Sequence, residues 1–149
     1  MNEFIFLASR NNPLGFAERT RTNLEFIEQA YSQGANVHVV TQLMLSLLGL
    51  IVFPVEKKNY NRIRQEPVEA IWQIGIGVSE NMGTHLRNLR NAIAHRHVIF
   101  SSDSRDIGEV SIQFSNHYGA NPKPYWQAEI KASHLKEFCF RLISMIEAS

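Results

Sequence analysis

The sequence has 149 residues, of which 44% are hydrophobic and 10% aromatic, enough apolar side chains for the core of one domain. Lysine and arginine number 15 against 14 aspartate and glutamate residues, so the overall charge does not indicate nucleic acid or an anionic membrane, and any such partner must bind a local patch. The single cysteine, Cys139, excludes an intramolecular disulfide and a cysteine-based zinc site, which is typical of a reducing cytosol.

The first part of the chain predicts two helices. Asn12 and Pro13 suit the N-cap and first turn of a helix whose apolar residues recur at helical spacing as far as Gly34. Asn36 can cap a second helix that Pro54 ends. This second helix is so apolar that we expect it at the centre of the core.

The apolar run over residues 43–55 raises the question of a membrane. It has about thirteen residues where a spanning helix needs roughly twenty, and polar residues precede it. The opening sequence MNEFIFLASR has neither the basic leader nor the long apolar segment of a signal peptide. We therefore expect a core helix, no membrane and a cytoplasmic protein.

The middle of the chain is polar and rich in helix breakers. Residues 56–67 form a connector with room for a short helical piece, and residues 67–73 can add a turn or two of helix. The following IGIGV is a poor helix because of its two glycines, which favour a hinge or a point of tight packing over a phosphate-binding loop.

The second half predicts a helix, three strands and a closing helix. Ser79 can cap a helix that runs to about His97. Hydrophobic residues then alternate in residues 110–114 and 126–130, the apolar residues 98–100 add a third strand, and Ser133 can cap the last helix. The predicted fold class is mostly α: one domain over residues 1–149, a helical bundle with a small antiparallel β-meander, residues 98–131, inserted before the C-terminal helix.

The helix that precedes the strands, called the motif helix below, carries the chemistry. Residues 81–102 contain no aspartate or glutamate, yet arginine and histidine alternate within them. On a helical wheel with Arg90 at zero, a core stripe lies at about 260° to 320° and a polar arc at about 0° to 160°. The stripe holds Met82, Leu86, Leu89 and Ile93, and the arc holds Arg87, Arg90, Asn91 and His95 with Gly83 and Ala94. The two small residues in the arc would let a ligand or another backbone approach closely.

Each residue type in this arc has a chemical use. Arginine presents a permanently charged fork that matches phosphate oxygens, and histidine can accept and donate a proton near neutral pH. Asn91 lies one turn before His95 and can orient its ring or bind a phosphate oxygen. The alternative is a solvated basic helix face without a function, which is common on protein surfaces.

A metal site is not predicted for the histidines of this region. His85, His95 and His97 have no carboxylate or cysteine near them in sequence, and His95 and His97 point about 200° apart on an ideal helix.

The stretch RNAIAH, from Arg90 to His95, resembles the R-x-x-x-x-H signature of the HEPN (higher eukaryote and prokaryote nucleotide-binding) superfamily, in which a polar residue often follows the arginine. The chain is similar to small single-domain bacterial members associated with plasmids and defence, over most of its length except residues 98–131. The resemblance implies a helical bundle that dimerises so that two motif helices face each other. Because Arg90 and His95 lie about 140° apart on one helix, two facing helices would enclose a phosphodiester better than one.

The resemblance also implies a function: a metal-independent endoribonuclease in a toxin-antitoxin or phage-defence setting. His95 would activate the ribose 2′-hydroxyl or assist the leaving 5′-oxygen, Arg90 would stabilise charge on the phosphate, and Asn91 would support them. Arg87, Arg96 and His97 are candidate contacts to the RNA backbone. No cofactor is expected, because RNA carries its own nucleophile.

Two features depart from the resembled pattern. In HEPN toxins paired with a nucleotidyltransferase antitoxin, a tyrosine that the partner modifies often follows the motif histidine by two residues, where this chain has His97. That argues against regulation by tyrosine modification and leaves other antitoxins open as partners. The strands are the second departure, and their long loop is expected to border the cleft, where Tyr118, Tyr125 and His117 can contact splayed bases. The alternative is a surface turn set by the glycine and prolines of the loop.

Two other functions stay open at this point. One is a non-catalytic RNA- or nucleotide-binding module that uses the same basic cleft. The other is an interaction subunit whose cleft a partner protein occupies.

Overall fold

A computed structural model describes residues 12–149 except 57, 59 and 78. The opening residues MNEFIFLASR, on which the expectation of no signal peptide rests, lie outside the described part. The helices and strands are α1 (Pro13–Ser32), α2 (Val39–Leu50), α3 (Asn61–Gln65), β1 (Ile74–Ile76), α4 (Met82–Ala94), β2 (Val98–Phe100), β3 (Ser111–Asn116), β4 (Trp126–Lys131) and α5 (Ala132–Glu147). A π-helical turn, Ile51–Glu56, follows α2, and a 3₁₀ turn, Ala70–Trp72, precedes β1. The motif helix is α4. Mostly helical structure with a small antiparallel sheet is the predicted class.

The first helix begins as the sequence predicts, and the second does not. The Asn12 side chain accepts a hydrogen bond from the Leu14 amide, and Pro13 occupies the first turn of α1. The N-cap of α2 is His38, which makes no side-chain capping bond, so the predicted cap at Asn36 is wrong. Pro54 does not end the helical path either, because the π-helical turn carries it on to Glu56.

The helical segment Val39–Glu56 packs as the centre of the helical layer. Leu43, Leu47 and Leu50 are fully buried, and α2 packs against α1 and α5. By length and composition this 18-residue segment, with a mean hydropathy of 1.9, is the one described helix that qualifies to cross a bilayer, and 44% of it is buried in the fold. Its packing is that of the predicted core helix.

The sheet has four strands in the order β1-β4-β3-β2, and every neighbouring pair is antiparallel. The predicted three-stranded meander is therefore one strand short. The missed strand, β1, lies in the IGIGV segment and pairs Ile74 with Glu129 and Ile76 with Gln127. Because β1 precedes the motif helix, the sheet is also not an insertion confined to residues 98–131.

Gly75 explains how β1 fits at the sheet edge. A Cβ atom at this position would lie 2.0 Å from the Gln127 carbonyl oxygen, so only glycine allows this approach. The tight packing point predicted for IGIGV is confirmed, although it serves a strand.

One face of the sheet completes the core. Strands β3 and β4 bury alternate side chains, and this inner face packs on α4 and α5. The motif helix is thus held between the sheet on one side and α3 with the π-helical turn on another. The N-cap of α5 is Lys131, two residues before the predicted Ser133.

Candidate functional site

The motif helix begins and ends at different residues from those predicted. Its N-cap is Asn81, whose side chain accepts a hydrogen bond from the Thr84 amide at 2.9 Å, in place of the predicted Ser79. The helix ends at Ala94, and His95 is its C-cap, so the prediction of a helix to about His97 is wrong.

A Schellman-type turn ends the helix. Arg96 has a left-handed φ of 62°, its amide donates to the Ile93 carbonyl at 3.1 Å, and the His97 amide donates to the Ala92 carbonyl at 2.8 Å. Arg96 is the only described non-glycine residue with a positive φ. The chain reverses there and enters β2 directly.

This turn changes where the motif histidines lie. On an ideal helix His95 and His97 would point apart, but their ring centroids are 6.2 Å apart, and the His97 ring lies 4.9 Å from that of His117. The predicted divergence of His95 and His97 is therefore wrong, because Arg96 breaks the helical angle between them. Within the described residues, no group of three or more His, Cys, Asp or Glu side chains has an arrangement that could hold a metal ion.

His117 is fixed by two hydrogen bonds. Its Nδ1 lies 3.0 Å from the Asn121 carbonyl oxygen, and its Nε2 lies 3.2 Å from the Ser115 hydroxyl. A carbonyl oxygen only accepts, so Nδ1 carries a proton. His117 thus anchors the β3–β4 loop beside the end of the motif helix.

The same loop presents two tyrosines. Tyr118 is 72% exposed and stacks on Tyr125, with ring centroids 4.2 Å apart. Asn116 at the loop base donates to the Asn88 carbonyl of the motif helix at 2.9 Å. The structure therefore places the loop beside the motif helix and its C-terminal turn.

Arg90 has partners that tie it to two elements. Its Nη1 donates to the Asn91 side-chain oxygen at 3.4 Å, and its Nε lies 3.4 Å from a carboxylate oxygen of Glu56. Both ionic side chains are 43% exposed, so this pair contributes little to stability. The stretch 81–102 contains no acid, but the π-helical turn brings the Glu56 carboxylate to Arg90 from outside the motif helix.

The buried face of the motif helix contains the core stripe of the wheel and extends beyond it. Met82, Leu86 and Leu89 are buried as predicted, and Ile93 is partly buried. Beyond the stripe lies His85, which is 1% exposed although it stands in the basic stretch. Sequence reasoning missed it as a core residue.

His85 lies in an aromatic and weakly polar environment. Its ring makes edge contacts with Trp126 and Phe138 at centroid distances of 6.0 and 5.7 Å, and its Nδ1 is 3.4 Å from the Ser79 hydroxyl. Burial lowers the pKa of His85 to about 4, so the ring is neutral at physiological pH. It is a core histidine and takes no part in the exposed site.

The space beside Gly83 is occupied by another part of the same chain. A Cβ atom there would lie 3.0 Å from Cβ of Arg64 and 3.3 Å from its Nε, so the space that the wheel left for a ligand holds α3. Ala94, the other small residue of the arc, is exposed.

Arg64 and Arg87 both line two neighbouring cavities of about 210 and 240 Å³. Sequence reasoning missed Arg64, since nothing in a polar connector shows that it folds back onto the motif helix.

The predicted site residues therefore divide into two groups. Arg87, Arg90 and Asn91 lie along the helix, while His95, Arg96, His97 and Tyr118 lie at its end with the β3–β4 loop. No hydrogen bond or ion pair joins Arg90 to His95, both of which the structure describes. Their Cα positions are separated by about 7.5 Å of helical rise.

The family model described as HEPN pEK499 p136 matches residues 8–149, which is nearly the whole chain. No curated protein and no solved structure matches the chain significantly.

Proposed function

The chain belongs to the HEPN pEK499 p136 family, and on that premise we propose that it is a metal-independent endoribonuclease that cleaves RNA through the ribose 2′-hydroxyl. One observation carries the proposal. His95 is exposed at the C-cap of the motif helix, on the same helix as an arginine that Asn91 and Glu56 hold in place. A proton-transfer group and a phosphate-binding group thus share one solvent-facing helix.

The chemistry needs only groups that this arrangement supplies. His95 takes the proton from the 2′-hydroxyl, or gives a proton to the leaving 5′-oxygen, and Arg90 stabilises the negative charge that develops on the phosphate. Asn91 orients the Arg90 guanidinium. The products are a 2′,3′-cyclic phosphate and a 5′-hydroxyl.

RNA contacts outside the reacting phosphate fall to the flanking residues. Arg87 binds backbone on one side of Arg90, and Arg96 and His97 bind it beyond His95. Tyr118, stacked on Tyr125, offers an exposed ring on which an unpaired base can stack.

The active form in this proposal is a homodimer. Within one protomer no contact links Arg90 to His95, and two facing motif helices would supply two of each residue around one phosphodiester. The biological setting we propose is toxin-antitoxin or phage defence, with an antitoxin that does not rely on a tyrosine at position 97.

The test is cleavage of single-stranded RNA in EDTA, with the ends of the products identified. We expect cyclic phosphate and 5′-hydroxyl ends, and no cleavage of a matched oligonucleotide whose ribose before the cut is 2′-deoxy. Cleavage of the deoxy substrate, or activity that EDTA abolishes, would contradict the mechanism.

One observation favours a second function, a non-catalytic RNA- or nucleotide-binding module. Glu56 neutralises part of the Arg90 charge, so less of that charge is left to stabilise a transition state. RNA binding without cleavage of any RNA tested would support this second function.

A further inference from the structure

Two arginines from different elements meet beside the first half of the motif helix. Arg64 of α3 lies over Gly83, since a Cβ on Gly83 would be 3.0 Å from Arg64 Cβ and 3.3 Å from its Nε. Arg87 is one helical turn further along the same face. Among the residues that the structure describes, these two are the basic ones that line the two neighbouring cavities.

The lining of these cavities suits a sugar-phosphate chain. The second cavity, about 240 Å³, is lined by Asn61, Arg64, Gln65, Asn81, Gly83, Thr84 and Arg87. None of these described lining residues is acidic or apolar in its side chain. Arginine forks bind phosphate oxygens, and the exposed amides of Asn61 and Gln65 can hydrogen-bond ribose hydroxyls.

The first cavity, about 210 Å³, shares Arg64, Gly83 and Arg87 with this polar pocket. Its other lining residues are apolar except Glu56, which is the ionic partner of Arg90. Arg87 and Arg90 belong to the motif helix, and Arg64 packs beside it at Gly83. The three arginines therefore follow one another along the helix axis. Positions 83, 87 and 90 are separated by about 6 and 4.5 Å of helical rise, so the three arginines form one row beside the helix.

From these contacts we infer that Arg64 and Arg87 form an accessory phosphate track, which binds the RNA backbone on one side of the cleaved bond. The inference rests on the proposed function, which fixes the position of the cleaved bond. It adds the direction in which the bound strand leaves that bond. The RNA strand runs from the His95 end of the motif helix, past Arg90, towards α3. Arg64 is a binding residue in this arrangement and does not touch the reacting phosphate.

The experiment compares two arginines on the same short helix. Arg64→Met keeps the aliphatic stem that packs on Gly83 and removes the charge, and Arg62→Met makes the same change two residues away, at a separate cavity lined with Arg141 and Met145. Melting temperatures of both variants establish that they fold. The probes are non-cleavable 2′-O-methyl RNAs, one dinucleotide and one strand of about 15 nucleotides.

For the long strand we expect Arg64→Met to weaken binding roughly 3- to 10-fold and to reduce the slope of log affinity against log salt by about 0.7. The dinucleotide, which reaches only the reacting site, should bind to both variants as it does to the natural chain. Arg62→Met should leave both affinities and the salt slope unchanged.

Three results would overturn the track: equal effects of the two variants, an equal loss for the short and the long RNA, or no binding of the long strand by the natural chain. The outcomes also separate the track from the ribonuclease. Cleavage by the natural chain with no effect of Arg64→Met on binding overturns the track alone. Arg64-dependent binding of the long strand without any cleavage overturns the ribonuclease alone.

Discussion

The motif helix holds one histidine in each of two opposite environments. His85, in its first half, is 1% exposed between two aromatic rings, and burial lowers its pKa to about 4. His95, at its C-cap, is exposed, and its ring faces that of His97. Two side chains of the same type, ten residues apart, are thus one in the core and one on the surface, where our proposal assigns it proton transfer.

The difference shows that position on the helix, and not residue type, decides the role. His85 lies at about 220° on the wheel, close to the edge of the core stripe, and the sheet extends the buried surface to reach it. His95 escapes burial because the helix stops there and the left-handed Arg96 turns the chain away. The basic stretch in the sequence therefore predicts a larger exposed site than the structure has, because the fold buries His85.

The sharpest test of this comparison replaces each histidine by alanine in turn. His95→Ala should lower the single-turnover cleavage rate about 10³-fold, the usual contribution of a positioned acid or base, with little change in melting temperature. His85→Ala should do the reverse, destabilising the fold by roughly 2 to 4 kcal/mol through the cavity it leaves, with a normal rate per folded molecule. Thermal melts and RNA cleavage of both variants check this, and a normal cleavage rate in His95→Ala would refute the assignment of His95.

The next largest effect distinguishes the two arginines between these histidines. Arg90→Ala should slow cleavage by about 10²-fold, on the order of 3 kcal/mol, and weaken RNA binding much less, because only contacts strengthened in the transition state accelerate chemistry. Arg87→Ala should weaken binding with a flatter salt dependence and leave the rate at saturation nearly normal. Single-turnover kinetics and equilibrium binding over a salt series measure both, and equal losses of rate and affinity in the two variants would contradict separate roles.

The pH dependence of stability tests the buried histidine alone. Its folded pKa of about 4 is below the unfolded value of about 6.5, so the unfolded chain binds more protons between these values and stability falls as pH falls through that window. We expect His85 to make the free energy of unfolding about 2 kcal/mol lower at pH 5 than at pH 7.5. Denaturant unfolding at both values checks this, and His85→Leu should reduce the difference by a similar amount. An unchanged difference in the leucine variant would show that other groups cause it.

The smallest effect concerns Glu56, which binds Arg90 near the exposed end. Glu56→Gln removes a half-exposed ionic partner, so we expect RNA affinity to rise only about two- to threefold at low salt, with the gain lost as salt increases. Filter binding at two salt concentrations measures this. A fall in affinity would indicate that Glu56 holds Arg90 in the orientation that RNA needs.

The parts of the fold that depend on local pattern could be predicted from the sequence. The Asn12 cap, the alternation in β3 and β4 and the apolar face of the last helix each follow from a few adjacent residues. Strand β1 could not be predicted, because a three-residue strand with a central glycine has no periodicity of its own and exists through its pairing with β4.

The candidate site divides in the same way. The motif and the exposed position of His95 were visible in the sequence, but the residues that come from other elements were not. Glu56 reaches Arg90 through a π-helical turn that a proline made appear to be a helix end, and Arg64 reaches Gly83 from a polar connector. Both are tertiary contacts, on which the spacing within one helix carries no information.

The pairing of β1 with β4 also limits how this chain can be divided. Since Ile74 pairs with Glu129, every site residue from Arg87 to Tyr125 lies within one closed loop of the chain. A fragment that begins at the motif helix would leave the β4 edge unpaired and open to association with other chains. The segment from Arg90 to His95 is therefore not a module that can be excised or grafted, and the better positions for insertions or new termini are outside this loop.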